Sequence, residues 1–187
     1  MICTDDFEKV TLRETSFDSS NKEYMTQSTL EVINFDGLKE KFFKKIKNNS
    51  EKKLCSNDAL YFCGDNEIYM IEFKNGRITK EEIYKLFWKN FDSVLIYMHY
   101  DLQDIGKLKD KLNYILVYND DKNPDAPGTS ESISQSMSRN KLGQRLAENA
   151  KEEFVRFGLG YFKNYSFKSV YTLTKEQFEE RFLSKWE

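Results

Sequence analysis

The sequence predicts an α/β protein with a mixed β-sheet flanked by helices, and three observations lead to this fold class. Two apolar runs on either side of a Gly-Asp-Asn turn, at 59–63 and 68–73, predict a β-hairpin. Apolar residues recur at helical spacing both before and after that hairpin. A continuous apolar run at 94–98 is typical of a strand buried in a parallel sheet.

The segments before the hairpin predict an arm, a strand and a helix. Residues 1–28 mix charges, serine and isolated aromatic residues without a sustained period, so we expect a partly ordered arm with one short strand near Val10. Residues 29–35 are β-branched and alternating, which indicates a strand. Asp36 can cap the following helix, whose apolar stripe ends near residue 48.

The segments after the hairpin predict a helix, two strands, a loop and a C-terminal extension. A capping box at 79–82 starts a helix that runs to about residue 90, and strands follow at 94–98 and 114–118. Residues 119–140 hold both prolines and many serines, so we expect a flexible loop. Helical spacing from 141 to 156, a strand at 167–173 and a capping box at 174–177 predict a helix-strand-helix extension over 141–187.

Length and composition restrict the class of protein. A chain of 187 residues with 39% hydrophobic content is expected to form one domain with a full core. The N-terminus has no apolar signal region, and no apolar run approaches the length of a membrane span. Three cysteines without a pairing pattern and a single histidine argue against a disulfide framework and a zinc site. We therefore expect a cytoplasmic protein without a membrane partner.

Two acidic residues are expected to face each other across the hairpin. If Cys63 pairs with Glu67, the same register places Asp58 opposite Glu72, with the Cβ atoms about 4.5–5.5 Å apart. Two carboxylates at that distance repel unless a cation or a shared proton lies between them. Glu72 also lies in a run that is apolar on both faces, where an unpaired charge costs several kcal/mol. A divalent metal ion would satisfy both residues, whereas an ordinary ion pair at a strand end is the alternative.

Asp58, followed fourteen residues later by Glu72-Phe73-Lys74, resembles the signature of the PD-(D/E)xK, or restriction-endonuclease-like, nuclease superfamily. The resemblance implies that Asp58, Glu72 and the Phe73 carbonyl bind Mg²⁺ or Mn²⁺, and that Lys74 positions or activates the attacking water. Asn57 stands where the signature has proline.

The resemblance also implies a core with the order helix, hairpin, helix, strand over about residues 36–98. The usual first strand of that core is not evident between residues 49 and 54. In this superfamily the first helix sometimes adds an acidic ligand, for which Glu40 or Glu31 is a candidate. Helices that follow the hairpin often send a lysine or glutamine toward the site, and Lys85 is the residue we expect in that role.

The distribution of lysines suggests a surface for nucleic acid. Residues 39–53 contain seven lysines and two glutamates, although the whole chain has a net charge of −2. Such a patch can neutralise phosphates. We expect Lys44, Lys45, Lys47 and Lys85 to contact a nucleic-acid backbone, DNA rather than RNA. A solvated helix face explains the same lysines without a ligand.

Two functions from different classes follow from these observations. The first is a nuclease that hydrolyses phosphodiester bonds, most simply in DNA, with Mg²⁺ or Mn²⁺. The second is a non-catalytic protein of the same fold that acts through a protein partner, as an inhibitor, an immunity protein or a component of phage defence or counter-defence. The sequence leaves a homodimer open.

Overall fold

A six-stranded, open, mixed sheet with helices on both faces organises the chain, and the predicted α/β class is confirmed. The computed structural model describes residues 7–47, 54–64, 66–101, 104–124, 155–163 and 165–187. From one edge of the sheet to the other, the strands are β1 (Lys9–Thr11), β4 (Glu31–Asn34), β5 (Ala59–Cys63), β6 (Glu67–Lys74), β7 (Leu112–Tyr118) and β8 (Ser169–Thr174). The first four strands pair antiparallel, and β6, β7 and β8 run parallel.

Helices and one small hairpin connect these strands. The helices are α1 (Leu12–Thr15), α2 (Phe35–Lys45), α3 (Lys80–Asp101) and α4 (Ile105–Leu108). The C-terminal part contains a 3₁₀ turn (Leu159–Phe162), α5 (Lys175–Phe178), a π-helical turn (Glu179–Leu183) and α6 (Ser184–Trp186). The separate hairpin is β2 (Phe17–Asp18) with β3 (Glu23–Tyr24). Among the described residues, no helix has the length and apolar character needed to cross a membrane.

The sheet buries a hydrophobic cluster on each face because side chains alternate along its strands. On one face, α2 and α3 cover the strands with buried residues such as Phe35, Leu38, Leu86 and Tyr97. On the other face, α1 and the C-terminal helical segment cover them, with buried residues Leu12, Phe178 and Leu183. Glu72 and Asp58 belong by alternation to the face that α2 and α3 cover.

The predicted hairpin and its register are confirmed. β5 and β6 pair antiparallel with Cys63 opposite Glu67 and Ala59 opposite Ile71. Gly64 in the turn has a φ of 59°, a left-handed conformation that glycine adopts without a side-chain clash. The paired residues end there: Asp58 lies at a bend, and its amide donates to the Ile71 carbonyl at 3.0 Å, so the predicted direct pairing of Asp58 with Glu72 does not form.

The strand predicted at 94–98 is wrong, because those residues belong to α3. One helix of 22 residues runs from Lys80 to Asp101, and its buried residues follow a helical period: Leu86, Asn90, Ser93, Val94, Tyr97 and Asp101. A short apolar run does not by itself distinguish a buried strand from a buried helix. The parallel neighbour of β6 is β7 instead, which contains the predicted strand 114–118 and is buried along its whole length.

The two predicted helix starts differ from the observed ones in their capping groups. Asn34, rather than Asp36, caps α2, and its side-chain oxygen accepts from the amides of Asp36 and Gly37. At α3, Thr79 accepts from the Glu82 amide at 3.4 Å, as expected, but the Glu82 carboxylate turns to Lys74 instead of Thr79. The predicted capping box is therefore only half formed, because Glu82 serves an ion pair.

Both ends of the chain also correct the expectations. Residues 7–28 form β1, α1 and the β2–β3 hairpin, so this part of the predicted arm is folded; residues 1–6 lie outside the described residues. Most of the predicted helix at 141–156, residues 125–140 of the predicted loop and residues 48–53 also lie outside them. The strand that pairs antiparallel with β5 on its other side is β4, which precedes α2 in the chain. At the C-terminal end, the predicted capping box from Thr174 to Gln177 is confirmed.

Candidate metal centre

The end of the β5–β6 hairpin brings Asp58 and Glu72 together. The Asp58 amide donates to the Ile71 carbonyl at 3.0 Å, and the Asp58 Oδ2 accepts from the Phe73 amide at 2.7 Å. These two bonds lie beyond the last paired residues, at a bend in the chain, and fix the Asp58 side chain against β6. Glu72 is fully buried beneath it.

A lysine that the sequence did not identify joins the two carboxylates. Lys89, in the third turn of α3, places its Nζ 2.7 and 2.8 Å from the two Glu72 carboxylate oxygens. The same Nζ lies 3.2 Å from Asp58 Oδ1. Because one ammonium reaches both carboxylates, the two acidic side chains share a face of the sheet and converge on one cation position.

The protonation of this group follows from its contacts. Burial, and after it the Asp58 carboxylate, raise the pKa of Glu72 above the ordinary glutamate value, against the lowering effect of Lys89 and Lys74. Burial opposes the charge on Lys89, but the Glu72 and Asp58 carboxylates outweigh it and raise the pKa of Lys89. These shifts favour opposite states of the pair, and the geometry decides between them. Both Glu72 oxygens lie within hydrogen-bond distance of the ammonium, an arrangement that favours the charged pair because an ionised carboxylate accepts strongly at both oxygens.

Lys74 lies on the same face but outside the pair of carboxylates. Its Nζ is 3.8 Å from Glu72 Oε1 and 3.0 Å from Glu82 Oε2. The position predicted for Lys74, beside the candidate metal ligands, is thus what the structure has. Glu82 holds this ammonium at the rim of the site.

The lysine of α3 that contacts the carboxylates is Lys89, one helical turn after the predicted phosphate contact Lys85. Lys85 is exposed, and its Nζ lies 2.5 Å from Glu82 Oε1. In the sequence, Lys89 lies next to Asn90 and near Ser93, two polar residues that are buried in α3. This pattern is recognisable only when residues 80–101 form one helix, whereas the predicted helix ends near residue 90.

Buried polar side chains under the site attach α3 to the hairpin. The Asn57 amide donates to Ser93 Oγ at 2.8 Å, and Asn57 Nδ2 donates to Asn90 Oδ1 at 3.2 Å. All three residues are buried. Because Asn57 precedes Asp58 and Asn90 follows Lys89, these bonds fix the two contacting side chains relative to each other.

The donor set suits a hard divalent cation. Asp58 and Glu72 supply carboxylate oxygens, and a main-chain carbonyl at Phe73 adds a third oxygen on the β5 side, the side to which its amide points. The Asp58 and Glu72 carboxylates both contact the Lys89 ammonium, so their oxygens converge on a single cation position. Among the described residues, no group of three or more histidine, cysteine, aspartate or glutamate side chains is placed to hold a metal ion.

The two additional acidic candidates lie elsewhere. Glu40 is exposed on α2. Glu31 pairs with Lys9 at 3.1 Å near the β5 end opposite to Asp58. Neither completes the site.

Three of the predicted nucleic-acid contacts, Lys44, Lys45 and Lys47, are also distant from the carboxylates. The Phe35 amide donates to the Asp58 carbonyl at 3.3 Å, so the N-terminal end of α2 lies at the site. Lys44, Lys45 and Lys47 are exposed at the other end of that helix, about 13 Å along its axis. Lys45 Nζ instead lies 5.5 Å from the centre of the Tyr100 ring.

A cavity of about 580 Å³ opens over the site, and the N-terminal segment forms one of its walls. Asp58, Glu72, Lys74, Lys89 and Arg77 line it, opposite residues 15–21. The β2–β3 hairpin is attached there by Glu23, which accepts from Asn75 Nδ2 at 2.9 Å and pairs with Lys175 at 3.3 Å. The part of the chain expected to be a partly ordered arm therefore forms one wall of the cavity at the candidate site.

Comparisons of this chain with protein-family models, with curated proteins and with solved structures found no match.

Proposed function

We propose that this protein is a metal-dependent phosphodiesterase of the restriction-endonuclease-like type, acting on DNA. The observation that carries the proposal is the convergence of Asp58 and Glu72 on one cation position, with the Lys74 ammonium 3.8 Å from Glu72 Oε1. This arrangement is the one that the resemblance of 58–74 to the nuclease signature implies.

The residues of the site divide the chemistry between them. Asp58, Glu72 and the Phe73 carbonyl would hold Mg²⁺ or Mn²⁺, which when bound lowers the pKa of a ligand water and neutralises charge on the phosphate. Lys74 Nζ donates a hydrogen bond to the attacking water and orients it toward the phosphorus. Glu82 keeps that ammonium in place.

The cavity supplies the groups that bind the substrate backbone. Arg77 and Lys89 line it together with Lys74, so three cationic side chains would be available to a phosphate there, among the acidic Asp18, Asp58, Glu72 and Glu82. Charged groups within a partly enclosed cavity interact more strongly than exposed ones. The free thiols of Cys55 and Cys63 suit a reducing compartment such as the cytoplasm.

Cleavage assays with purified protein test this proposal. The substrates are plasmid, linear and single-stranded DNA and an RNA of the same sequence, each with Mg²⁺, with Mn²⁺ or with EDTA. We expect cleavage of DNA that needs the metal and falls by about 10²–10³-fold in Glu72→Gln and in Lys74→Met. Lys109→Met, which removes an exposed lysine next to α4 and away from the carboxylates, is the matched control and should retain activity.

The contrary result is equally well defined. A folded protein that cuts none of these substrates and releases no heat on titration with Mg²⁺ or Mn²⁺ would refute the enzyme. Preferential cleavage of the RNA would keep the chemistry and change the substrate.

A non-catalytic role through a protein partner is the second candidate, and one specific feature favours it. The α3 strip, defined as Tyr84, Trp88, Phe91 and Leu95, is exposed at helical spacing, with Trp88 61% exposed. Exposed apolar surface of this kind marks interaction sites. Two-hybrid or pull-down capture of a partner that Trp88→Glu abolishes, together with inactivity toward nucleic acids, would support this role.

A further inference from the structure

The position between Asp58 and Glu72 already contains a cation that belongs to the chain. Lys89 Nζ contacts three carboxylate oxygens there, at 2.7, 2.8 and 3.2 Å. Lys74, the other lysine of the site, approaches Glu72 only to 3.8 Å and is held by Glu82. The two lysines therefore differ in their contacts, and the Lys89 ammonium is the one that lies between the two carboxylates, where a metal ion would bind.

The ammonium stabilises the metal-free protein. Glu72 has no exposed surface, and a buried carboxylate without a partner costs several kcal/mol. Lys89 offsets that cost because its ammonium contacts both Glu72 oxygens and also Asp58 Oδ1. Without a metal ion, the site is thus a closed ion-pair cluster.

A divalent ion and this ammonium exclude each other. Mg²⁺ binds carboxylate oxygens at about 2.0–2.1 Å and would require the same lone pairs that Lys89 now occupies. An ammonium left in place would also lie within a few ångströms of the ion and repel it. Metal entry therefore requires the Lys89 side chain to swing away.

The cavity determines where the displaced ammonium can go. Lys89 lines the cavity, and its flexible stem allows the charge to move into that space. A phosphate in the cavity would form an ion pair with the displaced Lys89 ammonium, in place of its ion pairs with Asp58 and Glu72. Substrate and metal ion then favour each other's binding, because each removes a cost of the other.

We infer that Lys89 is an internal competitor of the metal ion, which couples metal binding at Asp58 and Glu72 to the presence of a substrate phosphate. The inference rests on the proposed metal-dependent function and adds a regulatory role for a residue outside the signature. It identifies the ligand that opens the site by its chemistry, a phosphate group.

Calorimetric titration with Mn²⁺ tests the inference without relying on activity. The proteins are the natural chain, Lys89→Met, Lys89→Gln and the matched control Lys109→Met, each with and without thymidine 5′-monophosphate, which has no phosphodiester bond to cut. We expect Mn²⁺ to bind Lys89→Met at least about fivefold more tightly than the natural chain, as for an ordinary coupling between sites. The nucleotide should tighten Mn²⁺ binding in the natural chain and in Lys109→Met, and should do so less in the Lys89 variants, where only the direct attraction between the ion and the phosphate remains.

Lys89→Gln guards against misfolding of the methionine variant, because its amide still donates to Glu72 without carrying a charge. Far-UV circular dichroism establishes that each variant is folded. Equal or weaker Mn²⁺ binding by both folded Lys89 variants would overturn the inference while leaving a nuclease that binds Mn²⁺ intact. No Mn²⁺ binding by any of the four proteins would overturn the inference and the proposed function together.

Discussion

The two ends of α2 carry positive charge in very different ways. At the C-terminal end, Lys44, Lys45 and Lys47 are exposed and dispersed. At the N-terminal end, next to Asp58, Lys74 and Lys89 are largely buried, each with 22% of its side chain exposed, and contact carboxylates. Exposed charges are screened over about 8 Å at physiological salt, whereas buried ones interact strongly. Burial and contact with carboxylates, rather than the number of lysines, therefore distinguish the candidate site from the other end of the helix.

The largest expected difference between the two ends is in cleavage. Asp58→Asn removes one of the two convergent carboxylate charges and should reduce metal-dependent DNA cleavage by about 10²–10³-fold. The triple variant Lys44→Gln, Lys45→Gln, Lys47→Gln should change kcat by less than about twofold, because exposed charges this far from the site contribute little. Steady-state cleavage rates at one salt concentration measure both.

One result for the triple variant would contradict this expectation. If it lost cleavage as severely as Asp58→Asn, the lysine-rich end would take part in catalysis, and the contrast between the two ends would be wrong. A reduced salt dependence of DNA binding with unchanged kcat would show that those lysines contact the backbone at a distance.

A smaller effect is expected where the N-terminal wall is attached to the sheet. Asn75 is buried, donates to Glu23 at 2.9 Å and accepts from Asn119 at 2.8 Å. Asn75→Ala should lower the free energy of unfolding by about 1–3 kcal/mol because Asn119 and Glu23 lose partners. It should also raise KM for DNA because the wall of the cavity loosens. Urea unfolding and initial rates measure the two effects.

Asp104→Ala provides the matched control for stability. Asp104 caps α4 at the far end of β7 by accepting from the Lys107 amide at 3.1 Å. Its loss should cost about 1 kcal/mol and leave KM unchanged. Equal changes of KM in both variants would mean that the wall has no special part in substrate binding.

The sequence was sufficient for the β5–β6 hairpin and the juxtaposition of its acidic residues. A turn with Gly64 and the period-2 alternation of its strands specify the register, and a one-residue slip would expose the buried face. That register predicts Asp58 near Glu72, although the strand pairing ends one residue earlier, at Ala59 and Ile71. Lys74 followed from alternation, as it lies two residues beyond Glu72.

Lys89 could not be predicted in the same way, because its place depends on a tertiary contact. Asp92 and Ser93 appeared to end a helix, but their side chains accept from the amides of Cys55 and Asn57 and lie within α3. The apolar residues after them suit a strand or a buried helix equally well. Only the packing of α3 against the hairpin places Lys89 between the carboxylates.

The N-terminal wall escaped prediction for a different reason. The segment has no apolar period, and side-chain hydrogen bonds rather than a core determine its conformation. Asp18 Oδ1 accepts from the Ser20 amide at 2.9 Å within the loop, and Glu23 attaches the hairpin through residues 52 and 152 positions away in the chain. Such contacts produce no periodic pattern of apolar residues in the sequence.

The most direct test of the central claim, that Asp58 and Glu72 bind a divalent metal ion, is a crystal structure of the protein with Mn²⁺ and thymidine 5′-monophosphate, using the anomalous signal of the metal. We predict a single strong peak between Asp58 and Glu72, with the Phe73 carbonyl as a further ligand and the Lys89 ammonium moved toward the phosphate. A map without a peak there at saturating Mn²⁺, with Lys89 still between the two carboxylates, would contradict the claim.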